Sequence, residues 1–143
     1  MAQSKSKSKV VNTSGKRKEA IARVTIQEGQ GIVRINSMPL KNCQPNAAMM
    51  TIRRALDLAS DDIELGKLNI SVIVKGGGIM GQAEAVACSI ARGLLEWSGS
   101  EKLLERYHGY DRTIIAGDYR QTEVHKPGQS SKGPRHKRQK SYR

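Results

Sequence analysis

The sequence contains no phenylalanine, one tryptophan and four tyrosines, so aromatic side chains make up only 3% of its 143 residues. A hydrophobic core must therefore be built mainly from aliphatic side chains. No run of apolar residues reaches the length that spans a bilayer, and the basic N-terminal stretch lacks the apolar run of a signal peptide. The two cysteines, Cys43 and Cys88, lie far apart and match neither a disulfide framework nor a metal site. We therefore expect reduced, buried or half-buried cysteines in a cytosolic protein.

Acidic residues are scarce: 13 Asp and Glu stand against 25 Lys and Arg, which gives a formal charge of +12. Such a surplus indicates a polyanionic partner, either nucleic acid or an anionic membrane surface. Residues 1–18 carry six basic and no acidic side chains, and residues 120–143 carry eight basic and one acidic. The remaining residues, 19–119, hold eleven basic and twelve acidic side chains and are nearly neutral.

This distribution predicts three parts: a basic flexible N-terminal arm at residues 1–14, a globular α/β domain at residues 15–119 and an extended basic C-terminal tail at residues 120–143. The length suits one compact domain and is too short for two. Neither arm has the apolar content to offset the entropy of ordering it. We expect both arms to be disordered until an anionic partner binds them.

Two stretches of the central region, residues 20–29 and 31–36, alternate apolar and polar side chains with the period of a β-strand. Because a tight Gly-Gln-Gly corner separates them, we expect these strands to pair as a hairpin. Residues 68–75 predict a third strand, whose nearly continuous apolar character indicates burial on both faces.

Apolar residues at three- and four-residue spacing predict three helices. The first begins at Pro45 and carries a methionine pair, at positions 49 and 50, that is typical of a core. The second runs to about Trp97, and the third follows Ser100 as its N-cap. We therefore predict an α+β fold: a single compact domain with a mostly antiparallel or mixed sheet packed by helices.

The glycine-rich stretch GGGIMGQ, at residues 76–82, follows a predicted strand and precedes a predicted helix. This context suits anion binding by backbone N–H groups. The stretch lacks both the Gly-Lys-Ser/Thr ending of a nucleotide-binding loop and the Gly-x-Gly-x-x-Gly spacing of a dinucleotide site. Two interpretations stay open and are compatible: a turn whose glycines take positive φ and pack closely, and a phosphate contact.

Other arrangements typical of catalysis are missing from the sequence. The three histidines, at positions 108, 125 and 136, form no metal-binding helical pair. Asp61 and Asp62 lie between predicted elements, where a solvated turn explains them. We predict a binding protein without catalytic residues, metal or cofactor.

Six motifs occur in an order that is typical of one family. They are GKRKEAIARV, GIVRIN, VKGGGIMGQAEA, IARGLLEW, YDRT and the final RQKSYR. Together they resemble the universal small-subunit ribosomal protein family S nine, in its archaeal and eukaryotic branch, with GGGIMGQA closer to the archaeal form. The resemblance covers roughly residues 13–143.

The resemblance implies a ribosomal ribonucleoprotein component of the small-subunit head that acts in cytoplasmic translation, with a domain similar to the second domain of ribosomal protein S five. It implies three partners: ribosomal RNA, neighbouring head proteins and transfer RNA at the peptidyl site. The tail would be threaded through ribosomal RNA so that its tip touches the transfer RNA anticodon stem-loop. No membrane partner is implied.

Carried over position by position, the resemblance assigns roles to two sets of residues. Expected ribosomal RNA contacts are Lys16, Arg17, Lys18, Gly76, Gly77, Gly78, Gln82, Arg112, Arg120, Lys126, Lys132, Arg135, Lys137 and Arg138. Expected transfer RNA contacts at the tail tip are Lys140, Ser141, Tyr142 and Arg143.

Two departures from the family pattern affect this transfer of roles. Ser37 stands where a glycine usually follows the asparagine, so the turn at Asn36 is expected to differ. The stretch GPRHKR replaces the usual alternation of small residues with arginine before the terminal motif.

The alternative functions are a free RNA-binding regulator, a phosphate-loop enzyme and a membrane-surface protein.

Overall fold

The computed structural model describes residues 9–124, so the predictions for residues 1–8 and 125–143 lie outside the described range. Within this range there are five strands: β1 (Val10–Arg17), β2 (Ala20–Glu28), β3 (Val33–Ile35), β4 (Met38–Pro39) and β5 (Leu68–Lys75). The same residues form four helices: α1 (Asn46–Asp57), α2 (Ile79–Ser98), α3 (Glu101–Tyr110) and α4 (Thr113–Ala116). Short 3₁₀ turns occupy Leu40–Asn42 and Leu65–Lys67.

The strands form one mixed sheet in the order β1-β2-β5-β3-β4. Only β3 and β5 run parallel, and every other neighbouring pair is antiparallel. The predicted α+β class is therefore confirmed.

The predicted hairpin between residues 20–29 and 31–36 is wrong, because β5 lies between β2 and β3. β2 instead forms a hairpin with β1 and pairs along its other edge with β5 over residues 21–28. This register places Val24 opposite Val72 and Ile26 opposite Ile70, so that buried residues of both strands share one face. A hairpin of β2 with β3 could not form as many apolar pairs, because β3 is only three residues long.

Burial of β5 on both faces is also wrong. Leu68, Ile70, Val72 and Val74 are buried, whereas Ile73 between them is 58% exposed. The buried residues of the sheet and helices form one core, which lies on a single face of the sheet. The opposite face of β5 consequently faces solvent.

The folded part begins earlier than the boundary expected at residue 15, because β1 starts at Val10. Val11 belongs to the core, and the Thr13 hydroxyl donates to the Ser89 carbonyl at 2.8 Å. A Cβ at Gly15 would lie 2.4 Å from the Ala85 carbonyl oxygen, which shows how closely β1 approaches α2. Glycine permits this approach.

The helices follow the predictions with small differences. α1 begins at Asn46, with Pro45 one residue before it, and Met50 is exposed rather than buried. α2 begins inside the glycine-rich stretch, at Ile79. Ser100 is the residue before α3, as predicted, although its side chain makes no capping hydrogen bond.

Candidate nucleic-acid interface

The β1–β2 turn and the loop between β5 and α2 lie side by side at one end of the sheet. Pairing of Ile21 with Lys75 brings the two connections to the same end of the sheet. A Cβ at Gly76 would lie 2.5 Å from the Glu19 carbonyl oxygen, and one at Gly77 would lie 3.0 Å from the Ala20 nitrogen. Arg17 and Lys18 therefore form one continuous surface with the loop at residues 76–82.

The glycines of this loop differ in what they do. Gly76 and Gly77 have φ of 77° and 66°, and the backbone of the β1–β2 turn leaves no room for a side chain at Gly76. The Gln82 side-chain amide donates to the Gly76 carbonyl at 3.0 Å and closes the loop from the other side. Gly78 has φ of −95°, and a Cβ there would meet nothing within 4 Å. Gly76 and Gly77 thus have a packing role, whereas Gly78 is open to a ligand.

A cavity of about 380 Å³ lies between the turn and the start of α2. It is lined by residues 17–19, residues 77–81, Glu84 and Thr122. No acidic side chain occupies the first turn of α2, and no side chain caps its N-terminus. Because the first N–H groups of a helix lack intrahelical acceptors and carry partial positive charge, this end of α2 favours an anion.

The cationic side chains around the cavity have unequal freedom. Arg17 forms ion pairs with Glu84 and, at 3.0 Å, with Asp118, and its Nη1 donates to the Arg120 carbonyl at 3.1 Å. Lys18 is exposed in the turn, with φ of 54°. Arg17 therefore neutralises charge inside the protein, whereas the charge of Lys18 faces solvent.

Asp118 connects Arg17 to the residues that lead toward the tail. Its side chain is 10% exposed and pairs with Arg120 at 2.6 Å. Hydrogen bonds from the Arg120 side chain and backbone, together with the charges of Arg120 and Arg17, hold the pKa of Asp118 well below its usual range. The Arg120 side chain remains 71% exposed, so one of its edges is available to another anion.

Arg92 of α2 fixes the segment from which these residues emerge. Its guanidinium donates to the carbonyls of Ile115 at 2.8 Å, Ala116 at 3.1 Å and Ser14 at 3.0 Å. One planar fork thus joins α2 to β1 and to α4. Arg112, an expected RNA contact, is exposed immediately before α4.

Sequence reasoning missed the carboxylates at Glu84 and Asp118 and the role of Arg92. No local pattern marks them, because their partners lie far away along the chain. The expected contacts beyond residue 124, which are Lys126, Lys132, Arg135, Lys137, Arg138, Lys140, Ser141, Tyr142 and Arg143, lie outside the described range.

The two cysteines and the Asp61–Asp62 pair have roles in the structure rather than in a reaction. Cys43 and Cys88 are free thiols, as predicted, and burial raises the pKa of Cys88. Arg106 forms ion pairs with Asp61 and Asp62 at 3.1 and 3.2 Å. Between residues 9 and 124, no group of three or more His, Cys, Asp or Glu side chains could hold a metal ion. Within the same range, no helix combines the length and the apolarity needed to cross a membrane.

Comparison with known proteins gives consistent matches over nearly the whole chain. The family model described as ribosomal protein S9/S16 matches residues 15–143. Small ribosomal subunit protein uS9 from Methanococcus maripaludis strain C7 is 45% identical over 135 residues, which cover 94% of this chain and 99% of that protein. The proteins of the same name from Methanococcus maripaludis strain C5 and Methanococcus vannielii match with the same identity and coverage.

Proposed function

The chain belongs to the ribosomal protein S9/S16 family, and from this premise we propose that it binds ribosomal RNA in the head of the small subunit and reaches peptidyl-site transfer RNA with its C-terminal tail. Its family membership makes it an archaeal-type structural constituent of the small ribosomal subunit, which acts in translation in the cytoplasm and is not an enzyme. The RNA contacts of individual residues are the proposed part.

The observation that carries the ribosomal RNA proposal is the adjacency of the β1–β2 turn and the β5–α2 loop. Lys18 supplies an exposed cation, and Gly78 together with the start of α2 supplies backbone N–H groups that have no capping side chain among residues 9–124. A phosphate in the cavity between them would meet both kinds of donor. These contacts are to the nucleic-acid backbone and position the protein without reading sequence.

Residues 120–143 are proposed to continue from this surface as the RNA-threading tail. Their eight basic side chains face one acidic residue in the sequence, and the family match extends to residue 143. Lys140 and Arg143 would contact phosphates near the tip, and Tyr142 would stack on a base or ribose. Contacts of this kind suit a tail that has to accept every transfer RNA.

Sedimentation tests the ribosomal assignment of the native protein. We expect it to travel with small subunits in a lysate gradient and to remain there after a high-salt wash. A protein that stays at the top of the gradient under both conditions would contradict the assignment and favour a free RNA-binding regulator.

A truncation tests the tail. Deleting residues 139–143 removes two cations, Lys140 and Arg143, and should leave incorporation into small subunits intact. Transfer RNA affinity at the peptidyl site should fall by roughly tenfold, the effect of losing about 1.4 kcal/mol of charge-assisted contact. A matched control, Lys41→Gln with Lys102→Gln, removes the same charge from exposed positions of the domain and should leave that affinity unchanged. Equal affinity in the truncated and control subunits would refute the tail contact.

A further inference from the structure

The solvent-facing side of the sheet has a distribution of side chains that the near-neutral total charge of the central region does not reveal. The strand registers align its outward residues in four rows across the sheet. From one end to the other the rows are Val10, Gln27 and Asn69; Asn12, Thr25, Ser71 and Arg34; Ser14, Arg23 and Ile73; and Lys16, Ile21 and Lys75. Neighbouring strands lie about 4.8 Å apart and successive rows about 6.6 Å apart, so this face measures about 14 by 20 Å.

This outer sheet face contains four cations and no acid. All 13 acidic residues of the chain lie from Glu19 to Glu123, inside the described range, and none of them occupies an outward position of β1, β2, β3 or β5. Lys16, Arg23, Arg34 and Lys75 are exposed and form no ion pair with a carboxylate of residues 9–124. The acidic residues that balance the charge of the domain lie in its helices and connections, apart from Glu28, the last residue of β2, whose place in the strand alternation is not on the outward side. The domain is therefore electrically polarised rather than uniformly neutral.

The remaining outward residues suit a nucleic-acid backbone. Asn12, Ser14, Thr25 and Ser71 offer hydroxyl and amide groups, and Thr25 and Asn12 are already joined by a 2.8 Å hydrogen bond. Ile21 and Ile73 are 47% and 58% exposed and lie among the cations. The hydroxyl and amide side chains are of the types that contact phosphates, riboses and 2′-hydroxyl groups.

The face carries no aromatic side chain, so it offers no platform on which unpaired bases could stack. Recognition of splayed single-stranded bases is thereby disfavoured. What remains is contact with the outside of a structured RNA, where phosphates and riboses are presented in a fixed arrangement.

We propose that this outer sheet face is a second RNA-binding surface of the domain, which docks on the sugar-phosphate backbone of a ribosomal RNA helix. The proposal rests on the proposed ribosomal function and extends it, because Arg23, Arg34 and Lys75 lie outside the turn, the glycine loop and the tail. Charge complementarity identifies the partner: four unpaired cations on an acid-free face fit a regular polyanion.

Salt titration with a matched control tests the surface. The face variant carries Arg23→Gln and Lys75→Gln, and the control carries Lys41→Gln and Lys102→Gln, so both full-length chains have the same net charge and intact arms. The probe is a transcript of the small-subunit ribosomal RNA head. Each lost phosphate contact should reduce the slope of log affinity against log salt by about 1, so the face variant should lose about 2 relative to wild type. Equal slopes for the face and control variants would overturn the proposal.

Crosslinking from Ser71 gives a second measurement that does not depend on substituting charge. A photoactivatable side chain at Ser71, in the second row of the face, is compared with one at Lys102 in assembled small subunits. RNA adducts from position 71, mapped to a helix, support the proposal. Adducts to a neighbouring protein, or none, overturn it. Failure of the Lys102-labelled protein to enter small subunits is a separate outcome, which contradicts the ribosomal assignment itself.

Discussion

The side-chain amide of Asn36 pairs with both backbone groups of Val74. The Val74 N–H donates to Asn36 Oδ1 at 2.9 Å, and Asn36 Nδ2 donates to the Val74 carbonyl at 3.2 Å. The Asn36 N–H itself donates to the Val72 carbonyl at 2.8 Å. A side chain thus continues the β3–β5 pairing for one more step beyond Ile35, where β3 ends.

Replacing Asn36 should show how much this side-chain amide contributes to the free energy of unfolding. Asn36→Gly keeps access to the positive φ of 47° but leaves the Val74 N–H and carbonyl without their partner. We expect the free energy of unfolding to fall by about 1–2 kcal/mol in urea denaturation of the free protein. Asn36→Asp should lose at least as much, because one carboxylate oxygen keeps the acceptor role while the other faces the Val74 carbonyl oxygen without a proton to donate. A glycine variant as stable as wild type would show that water replaces the amide at no cost.

Replacing the next residue, Ser37, by glycine should raise the free energy of unfolding rather than lower it. Both Asn36 and Ser37 have positive φ, at 47° and 72°, which is the pattern of a type I′ hairpin turn between β3 and β4. Glycine is favoured at the second central position because a side chain is strained there. Ser37→Gly should therefore raise the free energy of unfolding by about 0.5 kcal/mol, and Ser37→Val should lower it. A glycine variant that is destabilised would contradict the strain argument.

The sequence predicted elements well where the pattern was local and strong. β5 has the bounds expected from its apolar run, and α2 follows from residues repeating along one helical face. β1 was missed because only Val10 and Val11 are bulky and apolar in it, and its strand form depends on pairing with β2. Pairing between strands distant in sequence decides the sheet order, and local alternation does not contain that information.

The candidate interface, like the fold, could be predicted only in part from local sequence patterns. Family motifs pointed to the β1–β2 turn and to the glycine loop, but only the sheet register brings them together. The motif KRK gave no sign that its three residues have different surroundings: Lys16 lies on the outer sheet face, Arg17 faces Glu84 and Asp118, and Lys18 lies in the turn. Strand alternation separates neighbours that composition treats alike.

Two glycines of the same loop should respond differently to alanine. Gly76→Ala places a Cβ 2.5 Å from the Glu19 carbonyl oxygen at φ of 77°, and we expect a loss of about 1–3 kcal/mol in the free energy of unfolding. Gly78→Ala is the control, since nothing lies within 4 Å of its Cβ, and its stability should stay within about 0.5 kcal/mol of wild type. Similar losses in both variants would show that the loop has no room anywhere. Weaker RNA binding by Gly78→Ala alone would support phosphate contact at that amide.

Tyr107 links α3 to the C-terminal end of α1. Its hydroxyl is fully buried and donates to the Ala55 carbonyl at 2.7 Å, at an end of the helix where carbonyls lack intrahelical donors. Tyr107→Phe removes this donor and should lower the free energy of unfolding by about 1–2 kcal/mol at neutral pH. Tyr107→Leu, which also removes ring volume, should cost more.

Alkaline pH should reduce the advantage of Tyr107 over phenylalanine. Burial raises the pKa of Tyr107 in the folded protein above the value near 10 of an unfolded chain. The neutral hydroxyl therefore contributes fully below about pH 10, and its contribution is lost as the unfolded state ionises at higher pH. Stability attributable to Tyr107 should fall by about 1.4 kcal/mol per pH unit above that point, so the gap between wild type and Tyr107→Phe should narrow. A constant gap up to pH 11 would contradict this assignment.

Arg17 and Lys18 are adjacent cations for which the structure predicts different roles. Arg17→Gln deprives Glu84 and the nearly buried Asp118 of a partner, so the free energy of unfolding should fall while the salt dependence of RNA binding changes little. Lys18→Gln removes the same charge from an exposed turn, so stability should stay within about 0.5 kcal/mol of wild type. The slope of log RNA affinity against log salt should instead decrease by about 1. Urea denaturation and salt titration of both full-length variants measure the two effects side by side. If Arg17→Gln weakens the salt dependence and leaves stability intact, Arg17 exchanges its carboxylate partners for phosphate when RNA binds, and the network around Asp118 opens in the complex.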